Sequence, residues 1–462
     1  MTAHAAADAM PWPVAPDAPV LIVRRSPDDL TAGLSEASRA ALEIAAVAPR
    51  VALDHNRGQA AVALARLDRR GEAPQQLAAA TLAAALAELT RAGLTRNRPA
   101  LGGAADGLLV VDGDAAVLAA CLETVCAAPP RPAAVAIPRS AGAPAGHADR
   151  ALFDAGYVRL RPGACALVDA TADAYVRSDL LTDLSLLREP SANAVSMQTL
   201  GQNGRFANQL WQYAFLWFYG LRNNCRVQTP RWIGNMLYGV KPEPPDPSFA
   251  RQAFTVFTGV ERHLWTMTEP PVNLDFFGYF QEIPDAWRHH RQLLRRLFAP
   301  QATFTELIER WFARTVPRDA TLIGIHVRRG DYPYFDHNAM PWFRPIPIEW
   351  YDQFLAELWP TLTRPLLFIA TDDAAAVAPH FAAYDPFIAP NSEISIPELG
   401  FLPDFCGMQR CAILAVGNSS FSRMAAMLAD DNQIAYLPNM KTQRFERYLP
   451  WRDEGFWVRF EA

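Results

Sequence analysis

The sequence predicts an α/β fold, and three observations support this prediction. Short apolar runs, such as "PVLIVRR", "RVALD" and "TLIGIHV", have the length and composition of buried strands. Longer stretches such as "IEWYDQFLAELWPTL" have apolar residues at helical spacing. Charged or hydroxyl side chains follow directly after several of the apolar runs. Strands that alternate with helices form parallel sheets, and such sheets bind ligands at the carboxyl ends of their strands.

The composition of the 462-residue chain changes near residue 190. The first part is rich in Ala, Arg and Leu and has no tryptophan after Trp12, whereas aromatic residues recur throughout the second part. The proline-containing segment "LREPSANAV" marks the boundary. We therefore predict an accessory α/β module over residues 1–190 and a second region over residues 191–462.

The first part is predicted to form a parallel, doubly wound sheet. Its strands are "PVLIVRR", "RVALD", "DGLLVVDG" and "PAAVAIPR", and "PQQLAAATLAAALAELTRAG" is a predicted helix. The run "VALDHNRGQAAVALARLDRRG" has the strand, turn and helix order of the cofactor loop in FkbM-type methyltransferases, and "LFDAGYVRLRPG" resembles their closing segment. The turn has only Gly58 where a nucleotide loop has two or three glycines. A degenerate or purely architectural module is therefore favoured over an active methyltransferase.

Charge and hydropathy exclude several classes of protein. The net charge is -5 and the chain has no block of Lys or Arg, so it lacks the basic surface that nucleic-acid binding requires. No apolar stretch approaches the ~20 residues of a spanning helix, and the first residues lack the basic region of a signal peptide. We expect a cytoplasmic protein, with peripheral association with the inner membrane as an alternative.

The six cysteines include no C-x-x-C pair, so we expect reduced thiols and no metal.

Polar residues follow three apolar runs of the second part. They are Arg328, Arg329 and Asp331 after "LIGIHV"; Asp372 and Asp373 after "LLFIAT"; and Asn418, Ser419, Ser420 and Ser422 after "ILAVG". The guanidinium of arginine matches phosphate oxygens, so the arginine pair predicts a diphosphate site. Adjacent residues of an extended segment point to opposite faces, so we expect Arg328 to bind ligand and Arg329, with Asp331, to brace the loop. A surface ion-pair cluster is the alternative.

The other motifs each have two interpretations. In "GNSSFSRMAAML", hydroxyl side chains at the start of a helix suit an anion, or else form an ordinary serine cap. Asp372 and Asp373 either accept hydrogen bonds from ribose or a purine amino group, or cap the next helix. The glycine turn in "LGQNGRFANQLWQYAFLWFYGLRNN" leads into a helix that has Asn208, Gln209 and Gln212 on a polar face and Leu210, Tyr213, Ala214 and Trp217 on a buried one.

Taken together, five motifs resemble those of the α-1,2-fucosyltransferases, glycosyltransferase family 11. The motifs are "GQNGRFANQLWQYAF", "GYFQE", "HVRRGDY", "FIATDD" and "GNSSFSRMAAML", and they occur in the family's order from Thr199 onward. The resemblance implies a GT-B-like, two-lobed fold, with an acceptor-side lobe over 191–315, a GDP-sugar lobe over 316–440 and a C-terminal segment over 441–462. It also implies metal-independent, inverting transfer of fucose from GDP-fucose to a galactose-containing glycan acceptor, without a cofactor.

The resemblance assigns Arg328 to the donor diphosphate, and the other site residues are candidates from the motifs described above. Arg328, His326 and Asp331 are the predicted catalytic residues. The predicted GDP-fucose contacts are Gly204, Asn208, Gln209, Arg328, Arg329, Asp372, Asp373, Asn418, Ser419, Ser420 and Phe421. The base that accepts the acceptor hydroxyl proton is left open among Asp331, His326 and Glu282, and His326 is equally well interpreted as a packed histidine.

The chain departs from the family pattern at two places. Phe206 and Ala207 replace a compact Gly-Asn pair, and Arg423 and Met424 replace two tryptophans. The first change is expected to alter the glycine turn and the second to alter acceptor binding or lobe packing. Transfer of another nucleotide sugar, or a non-catalytic carbohydrate-binding or scaffold role, are the alternative functions.

Overall fold

The structure is a computed structural model that describes residues 20–24, 49–56, 59–66, 75–77, 108–112, 134–138, 145–162, 172–190, 192–254, 260–388 and 397–452. These residues belong to two compact units. The first unit comprises Met1–Asn193 and Tyr219–Arg226, and the second comprises Ala194–Phe218 and Val227–Ala462. The predicted domain boundary at residue 190 lies close to this division.

The first unit is built on a mixed eight-stranded sheet. Its elements are β1 Val20–Arg24, β2 Pro49–Asn56, β3 Gln59–Arg66, β4 Gln75–Leu77, β5 Leu108–Asp112, β6 Ala134–Pro138, α1 Ala145–Asp154, β7 Tyr157–Arg159 and β8 Ala172–Arg177. The strand order is β4-β3-β2-β1-β5-β6-β8-β7. The four central strands are parallel, as predicted, and the flanking strands pair in antiparallel fashion.

The predicted helix after "RVALD" is wrong, because this stretch forms strand β3. Strands β2 and β3 pair in antiparallel register from Pro49 opposite Arg66 to Asn56 opposite Gln59. Only Arg57 and Gly58 separate the two strands, and a two-residue connection favours a hairpin over a strand-to-helix crossover. The alanines of this stretch favour a helix, and the valine favours a strand. The short connection decides in favour of the strand. In the predicted helix "PQQLAAATLAAALAELTRAG", Gln75–Leu77 instead form strand β4, which pairs with β3, and the rest lies outside the described residues.

The second unit contains two sheets and most of the helices. Its strands are β9 Ala194–Ser196, β10 Arg226–Gln228, β11 Ala250–Ala253, β12 Leu274–Phe277, β13 Thr321–Val327, β14 Pro365–Thr371, β15 Phe387–Ile388, β16 Ile413–Ala415, β17 Ile434–Asn439 and β18 Arg444–Tyr448. Its helices are α2 Phe206–Asn223, α3 Ile233–Tyr238, α4 Val260–Thr266, α5 Arg291–Leu297, α6 Ala302–Thr315, α7 Ile348–Leu358, α8 Ala374–Val377, α9 Leu402–Arg410 and α10 Ser420–Leu428. Strand β10 begins, and helix α2 ends, in residues of the first unit.

The six-stranded sheet has the strand order β15-β14-β13-β16-β17-β18. All its pairs are parallel except β17 with β18. The chain extends the sheet to one side from β13 and then returns to its other side with β16, so the topology reverses between these two strands. Ligands of open α/β sheets bind at the carboxyl ends of the strands at such a reversal. The predicted residues after β13 and β16 lie at this position in the topology.

The second sheet of this unit has the order β10-β9-β12-β11. Strands β9, β12 and β11 are parallel. The predicted α/β class is therefore confirmed in both units, and the second unit has the two sheets that a two-lobed fold requires. Within the described ranges, none of the helices combines the length and apolar character needed to cross a membrane.

Helix α2 follows the predicted pattern except at two positions. Leu210, Tyr213 and Ala214 are buried as expected, whereas Trp217 is half-buried. Gln212 was placed on the polar face but is fully buried, and its Nε2 donates to the carbonyl of Asn203 at 3.0 Å. Because this hydrogen bond ties the helix to the glycine turn before it, the buried amide stabilises the entry of α2.

Candidate active site

The carboxyl end of β13 is fixed to that of β14. Thr371 Oγ1 donates a hydrogen bond to the carbonyl of Val327 at 2.7 Å, and the amide of Asp373 donates to the same hydroxyl at 3.2 Å. Polar residues that follow the two strands are therefore held side by side. The first of them are Arg328 and Asp372.

Arg328 lies between two carboxylates. Its Nη1 pairs with Oδ2 of Asp372 and its Nη2 with Oδ1 of Asp331, so two of the five N–H donors of the guanidinium are engaged. The guanidinium carbon lies 5.1 Å from the centre of the Tyr332 ring. The side chain is 13% exposed, which leaves a small part of it accessible from solvent. These contacts hold a positive charge in one orientation at the switch point of the sheet.

Gly330 is required for this arrangement. Its φ of +32° is a conformation that residues with a side chain rarely adopt, and a Cβ here would collide with Asp372 Oδ2 and lie 3.1 Å from Arg328 Nη1. Asp372 uses its other oxygen to accept a hydrogen bond from the amide of Arg329 at 2.8 Å. The absence of a side chain at Gly330 thus allows the carboxylate and the guanidinium to meet.

Arg329 braces the loop, but not through Asp331 as expected. Its Nη1 donates to the carbonyl of Ile346 at 2.8 Å, whereas Asp331 contacts Arg328 and also Arg205, whose Nη2 lies 3.1 Å from Asp331 Oδ2. The reason is that Asp331 begins a single 3-10 turn, Tyr332–Tyr334, which places its carboxylate against the preceding Arg328. Asp331 remains 41% exposed.

Ser419 and Asn418 have structural contacts at the start of α10. Ser419 is the N-cap of this helix, and its hydroxyl accepts from the amide of Phe421 at 3.3 Å. Asn418 Nδ2 donates to the carbonyls of Trp342 and Arg344, both at 2.7 Å. The serine cap predicted as the alternative is therefore present, and α10 follows β16, the neighbour of β13 in the sheet.

Asn208 connects three of the sequence motifs. Its Oδ1 accepts hydrogen bonds from Ser420 Oγ at 2.7 Å and from Gln281 Nε2 at 2.8 Å. Gly204, with φ +85°, packs directly on the Asn208 side chain, and a Cβ there would lie 2.6 Å from Asn208 Nδ2. Gln209 Nε2 lies 3.4 Å from the Gly204 carbonyl. The glycine turn, the "GYFQE" segment and the "NSSFS" segment thus meet at one amide.

The two departures from the family pattern both lead to packing contacts. The ring of Phe206 stacks on Phe401, with centroids 4.1 Å apart. Arg423 is fully buried, and its Nη1 donates to the carbonyl of Gln281 at 2.7 Å while its guanidinium carbon lies 4.7 Å from the Trp211 ring. Phe206 and Arg423 thus both make packing contacts within the second unit, and the expected effects of these residues on the glycine turn and on acceptor binding or lobe packing remain predictions.

His326 is buried and lies 2.8 Å from the hydroxyl of Ser422 through its Nδ1. Burial, with a smaller contribution from the Arg328 charge, lowers the pKa of the imidazole to about 3. Its ring centre lies 5.7 Å from that of Phe421. The environment is that of a packed, neutral histidine, and its predicted catalytic role remains a prediction.

The remaining predicted residues differ in accessibility. Asp373 is the N-cap of α8 and accepts from the amide of Ala376 at 3.2 Å, so the capping interpretation holds for its Oδ1. Glu282 is buried, and its amide donates to the buried Glu261. Of the three candidate bases, Asp331 alone combines contact with Arg328 and substantial exposure.

Asp404 lies near this site and was not predicted from the sequence. It lies in the first turn of α9, and its Oδ1 is sealed from solvent without a hydrogen-bond partner among the described residues. Burial, with a smaller contribution from the charge of Asp372, raises the pKa of its carboxyl group to about 8. A carboxyl group with a raised pKa beside other charged groups is typical of functional sites. No local pattern marks Asp404, because its neighbour Asp372 is distant in sequence.

Asp404→Asn is expected to change the pH dependence of stability. The folded protein keeps the Asp404 proton up to about pH 8, whereas the unfolded chain releases it near pH 4. The unfolded state is therefore favoured increasingly as pH rises between these values, and stability is lost. The variant lacks this loss, so its Tm should rise relative to wild type between pH 5 and 8. Thermal unfolding at pH 5, 6, 7 and 8 measures the difference, and parallel Tm curves would contradict the raised pKa.

In the described part of the chain, no group of three or more His, Cys, Asp or Glu side chains is placed to hold a metal ion. At the carboxyl ends of β13 and β14, the structure instead has an oriented arginine between two carboxylates.

Comparisons with known proteins give structural likenesses only. No protein-family model matches the chain, and no curated protein matches it in sequence. Among solved structures, fucosyltransferase NodZ from Bradyrhizobium is 14% identical and covers 54% of this chain and 96% of its own, with a TM-score of 0.38. POFUT1 in complex with GDP-fucose is 11% identical, with coverage of 54% and 99% and a TM-score of 0.36.

A variant of Arabidopsis thaliana FUT1 in complex with GDP is 12% identical and covers 57% of this chain and 75% of its own, with a TM-score of 0.39. None of these TM-scores reaches 0.5, so no conclusion about activity follows from them.

Proposed function

We propose that this protein transfers L-fucose from GDP-fucose to a hydroxyl group of a glycan acceptor with inversion of configuration. One observation carries the proposal: Arg328 is held by two carboxylates at the switch point of a parallel sheet, at the end of β13, whose neighbour β16 precedes α10. Such a site suits the diphosphate of a nucleotide sugar. The five motifs that resemble the α-1,2-fucosyltransferases support fucose as the sugar and O2 of a terminal galactoside as the acceptor position.

The proposed chemistry uses positive charge rather than a metal. As the bond between fucose and the β-phosphate breaks, negative charge develops on GDP, and Arg328 with the amides at the start of α10 stabilises it. The sugar becomes oxocarbenium-like and the acceptor hydroxyl adds to its opposite face. Asp331 is the favoured base, because its carboxylate is 41% exposed and belongs to the same turn as Arg328.

The carboxylates at the neighbouring strand end suit the nucleoside. Asp372 and Asp373 follow β14, at the strand end next to Arg328. Carboxyl groups accept hydrogen bonds from ribose hydroxyls and from the amino group of guanine. Asn208, Ser420 and Gln281 have a positioning role in this proposal, since Ser420 and Gln281 both donate hydrogen bonds to Asn208 and so connect the glycine turn to α10.

The main alternative is that the protein uses a different nucleotide sugar in place of GDP-fucose, because the Arg328 site is suited to a diphosphate whatever sugar is attached. A panel of donors distinguishes these two functions. Wild-type protein is incubated with GDP-fucose, GDP-mannose or UDP-galactose, with and without lactose or N-acetyllactosamine, in the presence and absence of EDTA. We expect acceptor-dependent release of GDP from GDP-fucose alone, unaffected by EDTA.

If another donor in the panel is turned over instead, the sugar of that donor takes the place of fucose in the proposed function. Binding of GDP without turnover of any donor would favour a non-catalytic carbohydrate-binding or scaffold protein. Failure to bind GDP at all would remove the nucleotide-sugar proposal. Loss of activity in EDTA would contradict metal-independent transfer.

A further inference from the structure

The loop over residues 330–347 is held by contacts along its length. Tyr332 is buried and its hydroxyl donates to the carbonyl of Asn418 at 3.0 Å. The rings of Phe335 and Phe343 stack with centroids 4.1 Å apart and planes inclined by 18°. Arg329 and Asn418 bond backbone carbonyls farther along the same loop. A loop with this many fixed points presents its outer side chains in defined positions.

Tyr334 is the exception to this packing. It is 88% exposed, more than the other two large hydrophobic residues that are exposed among those described, Leu449 at 46% and Met236 at 41%. Its amide donates to the carbonyl of Asp331 at 3.1 Å, so it closes the turn that begins at the residue paired with Arg328. A tyrosine on a rigid loop loses little conformational entropy when it binds a partner, and its ring remains largely uncovered in the free protein.

We propose that Tyr334 is a binding platform for a pyranose ring of the acceptor glycan. The apolar C–H face of a pyranose packs on an aromatic ring, and its hydroxyls require polar partners nearby. The same turn supplies Asp331, and Arg205, 70% exposed, pairs with this carboxylate. The inference rests on the proposed glycosyl transfer, because it assigns the acceptor to the loop that follows the diphosphate arginine.

The test compares Tyr334→Ala, Tyr334→Phe and Tyr334→Trp with wild type in direct binding of saccharides. The probes are mono- to tetrasaccharides that end in galactose, glucose, mannose or N-acetylglucosamine, and GDP affinity is measured in parallel. We expect Tyr334→Ala to bind its saccharide about tenfold more weakly, with Phe and Trp close to wild type and GDP affinity unchanged in all variants. Leu449→Ala, which removes another exposed hydrophobic side chain, is the matched control and should bind like wild type.

Equal saccharide binding by Tyr334→Ala and wild type would overturn the platform, as would the absence of any saccharide binding by wild type. A fall in GDP affinity in Tyr334→Ala would also overturn it, because the residue would then act on the donor site. Binding of GDP by wild type is measured separately. Its absence would remove the nucleotide-sugar proposal, whereas equal saccharide binding by Tyr334→Ala and wild type would remove only the platform, so the two failures are distinguishable.

Discussion

Arg328→Ala is expected to lower kcat/KM for GDP-fucose by about 10³-fold. The substitution removes the guanidinium that faces the developing charge of the leaving group. In the wild-type protein, Asp331 and Asp372 pair with Arg328. In the variant, both carboxylates lack this positive partner when a diphosphate binds beside them. Repulsion between these carboxylates and the ligand adds to the loss of attraction. Affinity for GDP should therefore fall together with turnover, as measured by calorimetry and by acceptor-dependent GDP release.

Two further variants make this result specific. Arg328→Lys keeps the charge but loses the planar fork, so its activity should lie between those of the Ala variant and wild type. Arg205→Ala removes another arginine that pairs with Asp331, 70% exposed, and should reduce GDP affinity far less. If Arg328→Ala bound GDP as tightly as wild type, the diphosphate site would have to lie elsewhere.

Arg423→Ala is expected to have the largest effect on stability, a loss of about 3 kcal/mol. The arginine is fully buried, donates to the Gln281 carbonyl at 2.7 Å and lies with its Nε 3.2 Å from the Tyr448 hydroxyl. Alanine would leave buried polar groups unsatisfied and a cavity beside Trp211, on whose ring the guanidinium packs. Urea unfolding followed by tryptophan fluorescence measures the change.

Arg423→Met separates the two causes. Methionine fills much of the same volume without hydrogen bonds, so it should recover the cavity contribution but not the polar one. A Met variant as stable as wild type would show that the buried hydrogen bonds give no net stabilisation. An Ala variant with an unchanged unfolding midpoint would contradict a structural role for the residue.

Several strands and helices of the second unit could be predicted from the sequence, because they have local signatures. Strands β13 and β14 are continuous apolar runs that are buried for most of their length, and α7 has regular helical spacing. The residues after these strands were also predictable as site candidates, since parallel strands bring their carboxyl ends to one edge. Local pattern failed at β3, where the alanines favour a helix but the short connection decided in favour of the strand.

Contacts between distant motifs could not be predicted in this way. Asn208 and Ser420 are separated by 212 positions, and no local pattern predicts the hydrogen bond between their side chains. Asp404 could not be predicted either. Its pKa is raised by burial and by the charge of Asp372, and neither can be read from the sequence around Asp404. The role of such residues depends on which side chains surround them in the folded protein, and residue type alone does not predict it.

The division of helix α2 between the two units limits how the protein can be taken apart. Its last turn belongs to the first unit, where Arg222 forms two hydrogen bonds of 2.7 Å with the carboxylate of Asp154. The first unit is thus not continuous in sequence, and a fragment that starts at residue 191 would carry residues 219–226 without Asp154. Deletion of the accessory module is therefore not a neutral truncation. Its role is better studied by point substitution in the full-length chain.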